Sequence, residues 1–422
     1  MSKPNKHKGK VRYDKQAKSA AKPPADAPVA PSSGNPPRRA ATKEAPPGRV
    51  VTLTPLAPLI VRSGRPFDGQ TGADEARVPP PSTIAGCLRT AWARATGRSF
   101  GPELANLEVA GPLLARPTDR GGLDVLAPKP ADAHYFGHGH EAQCVRAAPG
   151  GFEDGSGSDL PQGLQPVRLI KTVQGKPSVG PAWWTWQDLL DFRQGQAPLH
   201  ADLERRGWTP PADDRRTHVA IDPTTLAAAS GRLFQTAGLD LEATNPGLSK
   251  QDRPGLCLLA RCAEPLPAGL VPLGGERRLA RLEPETLDVW PTPPNGWFGQ
   301  IQAAAGLTLT LLTPACFGAG YRPGWLDSDL TGTPPTAPGV RLQLVAVASE
   351  RWQPHSGWDL ARHQPRATRK LVAAGAVYWF RLLDCPDPTA LAPLWLASLC
   401  DDAQDRRDGY GLVLPAPWTP TV

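Results

Sequence analysis

The clearest periodicity in the chain lies between Val78 and Gly97, which reads VPPPSTIAGCLRTAWARATG. Ile84, Cys87, Leu88, Ala91, Trp92 and Ala95 recur at i, i+3, i+4, i+7, i+8 and i+11, one apolar stripe of a helix. Three prolines stiffen an extended approach, Ser82 stands where an N-cap belongs, and Gly97 supplies a stop. Arg89 and Arg94 fall off the stripe. Before this helix, RVVTLTPLAPLIVR (Arg49–Arg62) reads as a strand, and Pro55 and Pro58 make it an edge or bulged one. Strands follow at Leu123–Ala127, Val167–Thr172, Thr217–Asp222 and Gly231–Ala243, and TWQDLLDF (Thr185–Phe192) opens a helix with a Thr-x-x-Asp cap.

The second half repeats this logic. Strand-like runs occupy Gly255–Cys262, Arg277–Glu283, Leu307–Thr313, Val340–Ala348, Ala376–Leu383 and Gly409–Leu414, with helices at Trp297–Ala305 and around Ala390–Cys400. Two helices among paired strands in each half predict an α+β fold of two split βαβ, ferredoxin-like modules with long loop insertions. The division expected is a tail over 1–48, a first module over 49–250 and a second over 251–422. Residues 128–165, rich in Gly and Pro without a period, form an insertion in the first module.

Charge sharpens the division. Residues 1–48 carry eleven Lys and Arg against Asp14, Asp26 and Glu44, a net +8, which leaves the rest of the chain at −1. That segment has almost no large apolar residues and is expected to be a disordered basic tail. A mobile polycation adds salt-dependent, sequence-blind affinity for RNA, and a solubilising extension accounts for the same composition. The body uses 31 Arg and only five Lys. Arginine's fork suits phosphate, and a GC-rich genome produces the same skew. No secretory h-region and no apolar run near the ~18 residues of a membrane span occur. Seven cysteines, an odd number in 422 residues, point to a reducing cytoplasm. Cys257 and Cys262, five apart on a strand, face opposite ways and make poor partners for a metal.

Six segments, in order, carry a resemblance. After PPPSTIAGCLRTAW come HVAIDPTTLAAASGRLFQT (His218–Thr236), LGGERR (Leu273–Arg278) and LLTPACFGAGYRPGW (Leu311–Trp325). SGWDLARHQPRATRKLVAAGAVYWF (Ser356–Phe380) and GYGLVLPAPW (Gly409–Trp418) complete the series. Together they resemble the CRISPR-associated RAMP superfamily, and within it the third-subunit family of the Cmr (type III-B) RNA-guided effector complex. The resemblance implies ferredoxin-like (RRM-type) modules and a non-catalytic, cofactor-free role in antiviral defence. The subunit would hold the 5′ tag of a CRISPR RNA and dock the large polymerase-like Cmr subunit against the RAMP backbone subunit. Target cleavage and nucleotide cyclisation would belong to those partners. The glycine-rich loop near the C-terminus of such proteins is reduced here to Gly409 and Gly411, and the tail and the 128–165 insertion lie outside the pattern.

Several residues could serve RNA directly. Arg362, Arg366, Arg369 and Lys370 gather cations on one aperiodic segment, a natural phosphate contact or an ordinary solvated loop. Gly274 and Gly275 ahead of Arg277 and Arg278 would let backbone amides approach a phosphate, or form a plain turn. Gly318, Gly320 and Tyr321 offer a flexible loop with one stacking ring, and Arg232 and Phe234 a strand-spaced phosphate-and-stacking pair, with Phe234 equally a core residue. Arg65 and Phe67 sit where the first strand gives way to a loop, which the resemblance makes an RNA-facing or subunit-facing surface; a turn capped by Asp68 with Phe67 plugging the core is the plain alternative. In this reading, sheets and glycine-containing loops capture single-stranded RNA through phosphates, stacking and base edges.

Enzymatic readings have less behind them. His134, His138, His140 and Cys144 could supply zinc ligands, although Gly137 and Gly139 work against a rigid presentation, and a zinc-stabilised structural module is the corresponding alternative. His218 is the best placed base for a RAMP-type endoribonuclease that matures CRISPR RNA, but no second catalytic group accompanies it. Asp401, Asp402, Asp405 and Asp408 could attract magnesium, and the interleaved Arg406 and Arg407 favour a solvated loop instead. No Walker loop, nucleophile elbow or dinucleotide fingerprint is present.

Overall fold

The chain's first apolar run becomes β1 (Gly48–Pro55), and the helix predicted from the proline corner becomes α1 (Pro81–Thr96). The structure is a computed structural model that describes residues 48–61, 75–119, 121–242, 255–286, 289–359 and 364–420. The basic tail, Arg65, Phe67 and Arg362 lie outside the described residues.

β1 is not an edge strand. It pairs on one side with β10 (Cys257–Leu266) and on the other with β12 (Leu279–Pro284), a bulge separates Gly48 from Val50, and Pro55 ends the strand. β2 (Val109–Pro117) lies on the far side of β10, so β1 and β2 run parallel with one antiparallel strand between them and α1 as their link. β3 (Leu123–Pro128), β7 (Trp183–Thr185) and β11 (Gly269–Pro272) extend this into a seven-stranded sheet, β11–β12–β1–β10–β2–β3–β7. The sheet therefore draws strands from both sides of residue 250. Residues between β10 and β12 form the short strand β11 and carry no helix.

A second sheet has the order β14–β15–β20–β13–β21: Thr331–Gly332, Arg341–Ala348, Val377–Asp384, Gly306–Leu311 and Val413–Pro417. β13 and β15 run parallel with β20 between them, and the link from β13 to β15 carries β14 and turns but no helix. The helix expected at Ala390–Cys400 is instead a 3-10 segment at Pro388–Leu394, which Pro393 keeps short.

Four smaller sheets and further helices complete the fold. β4 (Ala133–Phe136), β5 (Gln143–Pro149) and β6 (Val167–Leu169) make a three-stranded sheet, so the 128–165 segment is partly ordered into strands and only its later part is irregular. The remaining sheets are β8 (Asp214–Ile221) with β9 (Ala228–Gly238), β16 (Gln353–His355) with β19 (Arg369–Leu371), and β17 (Trp358–Asp359) with β18 (Gln364–Pro365). α2 (Trp186–Arg193), α3 (His200–Arg206), α4 (Trp297–Ala304) and α5 (Ala403–Asp408) are the other α-helices among the described residues.

Alternation along the strands decides which faces are buried. On β10, Leu258, Ala260 and Cys262 join Ile84, Ala85 and Leu88 of α1 in one apolar core. Cys257 and Leu259 face the other way, into a larger core with Leu307, Leu309, Leu344, Phe380 and Leu414 of the second sheet. The two cysteines thus point to opposite faces, as their spacing predicts. The second sheet's outer face is covered too: Val345, Ala346, Val377 and Trp379 are buried there, and Val167 of β6 packs on them. The Gln165 amide donates to the Val345 carbonyl at 2.8 Å and ties this strap down.

Candidate nucleic-acid interface

The central strands of the second sheet are buried on both faces, whereas in the first sheet Arg281 and Glu283 of β12 and Arg261 of β10 leave one flank exposed. Among the loops and small hairpins, two places gather cations with aromatic or hydrogen-bonding groups.

The first is the β8–β9 hairpin, whose strands join no other sheet. His218 pairs with Phe234 and Arg216 with Thr236, so these four share one face. The His218 and Phe234 rings stack, with centroids 5.0 Å apart and planes 16° apart, and the His218 Nε2 lies 2.9 Å from the Thr236 hydroxyl. Phe234 is half-buried, which removes the reading of it as core. Arg216, held by Asp214 at 2.8 Å, and Arg232 are both exposed beside this pair. The opposite face carries Val219 and Leu233, directly paired and exposed by 42% and 58%.

The second place is the junction of α1, the β16–β19 pair and α5. Ser82 does not cap α1: the N-cap is Pro80, with no side-chain bond. The Ser82 hydroxyl instead lies 2.8 Å from the Tyr410 hydroxyl and 3.4 Å from the His355 Nε2, and Tyr410 reaches that nitrogen at 3.0 Å. The Ser82 hydroxyl, at the start of α1, is thus tied to a residue 328 positions away in sequence. Burial, with the charges of Arg77, Arg369 and Arg366, lowers the His355 pKa to about 4, leaving a neutral imidazole. Burial likewise pushes the Tyr410 phenol up to about 12.

Arg369 is not a loose cation. Its guanidinium donates to both Asp405 oxygens, at 2.6 and 2.7 Å, and lies over the Tyr410 ring. Burial works against its charge, and the Asp405 bonds outweigh it and raise its pKa. Arg366 is exposed, and Lys370 sits over the exposed Trp352 ring at 5.1 Å.

The glycine motifs serve packing. Gly274 has φ +78°, and a Cβ there would come within 2.7 Å of the Ile60 carbonyl, which accepts the Gly275 amide at 2.7 Å. That amide is thus committed within the protein, while Arg277 is exposed and Arg278 half-buried. The Gly318 amide donates to Asp401, as does that of Gly324; Gly320 and Tyr321 are exposed in the same loop. Gly409 and Gly411 are buried, and a Cβ on Gly409 would meet the Gly111 carbonyl at 2.6 Å, so neither can touch RNA directly.

The acidic run is also structural rather than solvated. Asp402 caps α5, Asp405 holds Arg369, and Asp408 holds Arg89 at 2.6 Å. Arg89, which the helical pattern left without a role, also donates to the Leu107 and Arg407 carbonyls. His134 and Cys144 occupy opposite faces of the β4–β5 pair, since Cys144 is directly opposite Tyr135. Among the described residues no group of three or more His, Cys, Asp or Glu side chains could hold a metal ion, and no helix is long and apolar enough to cross a membrane.

Comparison with known proteins places this arrangement in a family. Residues 51–418 match the model of the CRISPR-associated protein family Cas_Cmr3. The chain belongs to the Cas_Cmr3 family. All the elements above, from β1 to β21, fall within the matched residues apart from the first three positions of β1. Among solved structures the chain is similar to one in the type III-B Cmr-β complex bound to cognate target RNA, at 15% identity and TM-score 0.46, covering 86% of this chain and 96% of that one. A second, from Cmr-β bound to cognate target RNA and AMPPnP, is 16% identical with TM-score 0.43, covering 78% and 86%. No curated protein matches the chain.

Proposed function

We propose that this chain is a non-catalytic RNA-binding and assembly subunit of a type III-B Cmr effector complex. It holds the 5′ tag region of the CRISPR RNA and docks the large polymerase-like subunit beside the RAMP backbone subunit. Family membership supports a place in such a complex. The observation that carries RNA capture is the β8–β9 hairpin, with stacked His218 and Phe234 rings and exposed Arg216 and Arg232 on an arm outside both large sheets. Aromatic rings accept any base by stacking, and neighbouring guanidiniums take the phosphates. The aliphatic flank of Val219 and Leu233 suits a protein partner, because a two-stranded hairpin is marginal alone in water.

The scaffold in this reading is a pair of ferredoxin-like units, each short of one crossover helix. Support comes from the matching strand orders, β12–β1–β10–β2 and β21–β13–β20–β15. Purifying the full chain from its host and sequencing the RNA that accompanies it tests the proposal. Short RNAs sharing one 5′ tag, together with co-purifying proteins, are expected; a monomer free of RNA would refute it.

A further inference from the structure

A tryptophan stands in water on the outer side of the β16–β19 ribbon. Within that ribbon Gln353 pairs with Leu371 and His355 with Arg369, while Pro354 pairs with Lys370. Alternation turns His355 and Leu371 inward, 5% and 2% exposed, and leaves Pro354 and Lys370 on the other face. Trp352, two residues before Pro354, joins them there, with the Lys370 Nζ 5.1 Å from the centre of its ring. Trp352 is 55% exposed, and it is the only exposed tryptophan among the described side chains; Trp184, Trp297 and Trp379 are buried. Among the described residues no carboxylate pairs with Lys370 or with the exposed Arg351. The stretches that build the ribbon, 349–357 and 366–375, carry Arg351, Arg366, Arg369 and Lys370 against Glu350. Asp405 neutralises Arg369, and the ribbon stays net positive.

An indole left in water contributes little to the fold, because its apolar area is not withdrawn from solvent. Its ring is a stacking surface that accepts any base, and a cation beside it is placed for the phosphate joining that base to the next. We infer that Trp352 and Lys370 form a platform for one unpaired base of single-stranded RNA, with Lys370 contacting the adjoining phosphate. The flexible lysine stem lets the ammonium move from the ring to that phosphate. Nucleic acid fits this surface better than protein does, because lysine is depleted from the apolar centres of protein interfaces and the ribbon is net positive. The strand must be single, since a duplex already stacks its base faces on one another. The platform shares no sheet with the β8–β9 hairpin and is a separate contact.

This inference rests on the RNA binding proposed above, and the test separates the two. The full-length chain is titrated by fluorescence anisotropy with fluorescein-labelled oligoadenylate, and with an abasic ribose-phosphate strand of the same length, over a range of salt. Trp352→Ala, Trp352→Phe, Lys370→Ala and Phe234→Ala are compared with the unaltered protein, each beside a thermal melt. Trp352→Ala is expected to weaken oligoadenylate binding about 5- to 150-fold, the equivalent of one stacked base, with the abasic strand and the melting temperature unaffected. Trp352→Phe keeps a ring and retains most of the affinity. Lys370→Ala is expected to lower the slope of log K against log salt by about 0.7, one phosphate contact. Affinity lost in Phe234→Ala but kept in Trp352→Ala leaves the RNA reading standing and overturns the platform. No RNA binding by the unaltered chain overturns both. Equal losses on the adenylate and abasic strands in Trp352→Ala also overturn the platform, because stacking is then not what was removed. So does a Trp352→Ala chain that keeps its RNA and loses co-purifying proteins, which makes the surface a protein contact. If Trp352→Ala does not fold, Lys370→Ala decides, and an unchanged salt slope refutes the inference.

Discussion

His355 is 5% exposed and hydrogen-bonded through Nε2 to Tyr410, and its imidazole is neutral at physiological pH. Its pKa falls from an ordinary 6.5 to about 4, so between those values the unfolded chain binds a proton that the native protein does not. Stability is therefore full above pH 6.5, declines as pH falls towards 4, and changes no further through this group below that. At 1.36 kcal/mol per pH unit the loss amounts to about 3 kcal/mol. Urea unfolding at several pH values, with His355→Gln as reference, checks this; an equal slope in the variant would assign the pH dependence elsewhere. The Arg89–Asp408 pair is a second residue-scale anchor, with side chains 12% and 7% exposed. Asp408→Asn leaves the guanidinium uncompensated among apolar neighbours and is expected to cost about 3 kcal/mol. Denaturant midpoints measure it, and a loss within experimental error would show that the Leu107 and Arg407 carbonyls suffice.

At the scale of elements, capping separates two kinds of helix start. Thr185 accepts the Asp188 amide at 3.2 Å and also donates to the Asp188 carboxylate, so α2 begins with a local signal written in four consecutive residues. Thr185→Ala is expected to lower stability by about 1–2 kcal/mol in thermal or denaturant unfolding. α1 has no side-chain cap; its Ser82 hydroxyl is bound to Tyr410 instead, and no window of its own sequence reveals that. The β8–β9 hairpin belongs to this scale as well. Phe234→Ala removes the stacking ring without opening a core, and RNA affinity is expected to fall by about 1–3 kcal/mol with the melting temperature nearly unchanged. Fluorescence anisotropy beside a thermal melt separates the two effects; a large fall in melting temperature would make Phe234 a structural residue.

On the scale of the whole molecule, the two large sheets share one apolar core. Leu309 of β13 is fully buried in it, facing residues of the first sheet such as Leu113 and Leu259. Leu309→Ala is expected to destabilise the protein by about 2–5 kcal/mol and to leave a single unfolding transition. Circular dichroism and tryptophan fluorescence would then coincide, and two separate transitions would show the sheets to be independent. The strap through Gln165 and Val167 acts at the same scale: by covering Trp379 and its neighbours it withdraws the second sheet's outer face from any ligand.

Much of this was written locally. The apolar period over Ile84–Trp92 marked α1, alternation marked β10, β13, β15 and β20, and the Thr-x-x-Asp signal marked α2, because each depends on contacts a few residues apart. The pairing of His218 with Phe234 lay within reach too, since a short hairpin sets its register through its turn. Other features involve partners hundreds of residues away. Ser82 reads as a cap and instead joins Tyr410, while Arg369 reads as an open cation and is held by Asp405. Gly409 reads as a ligand loop and is pressed against Gly111. Sequence determined α1, α2 and the long core strands, and which residues are cationic. Tertiary structure alone decided which sheet faces stay open and which charges are already paired, because burial and Coulomb energy depend on distance in space.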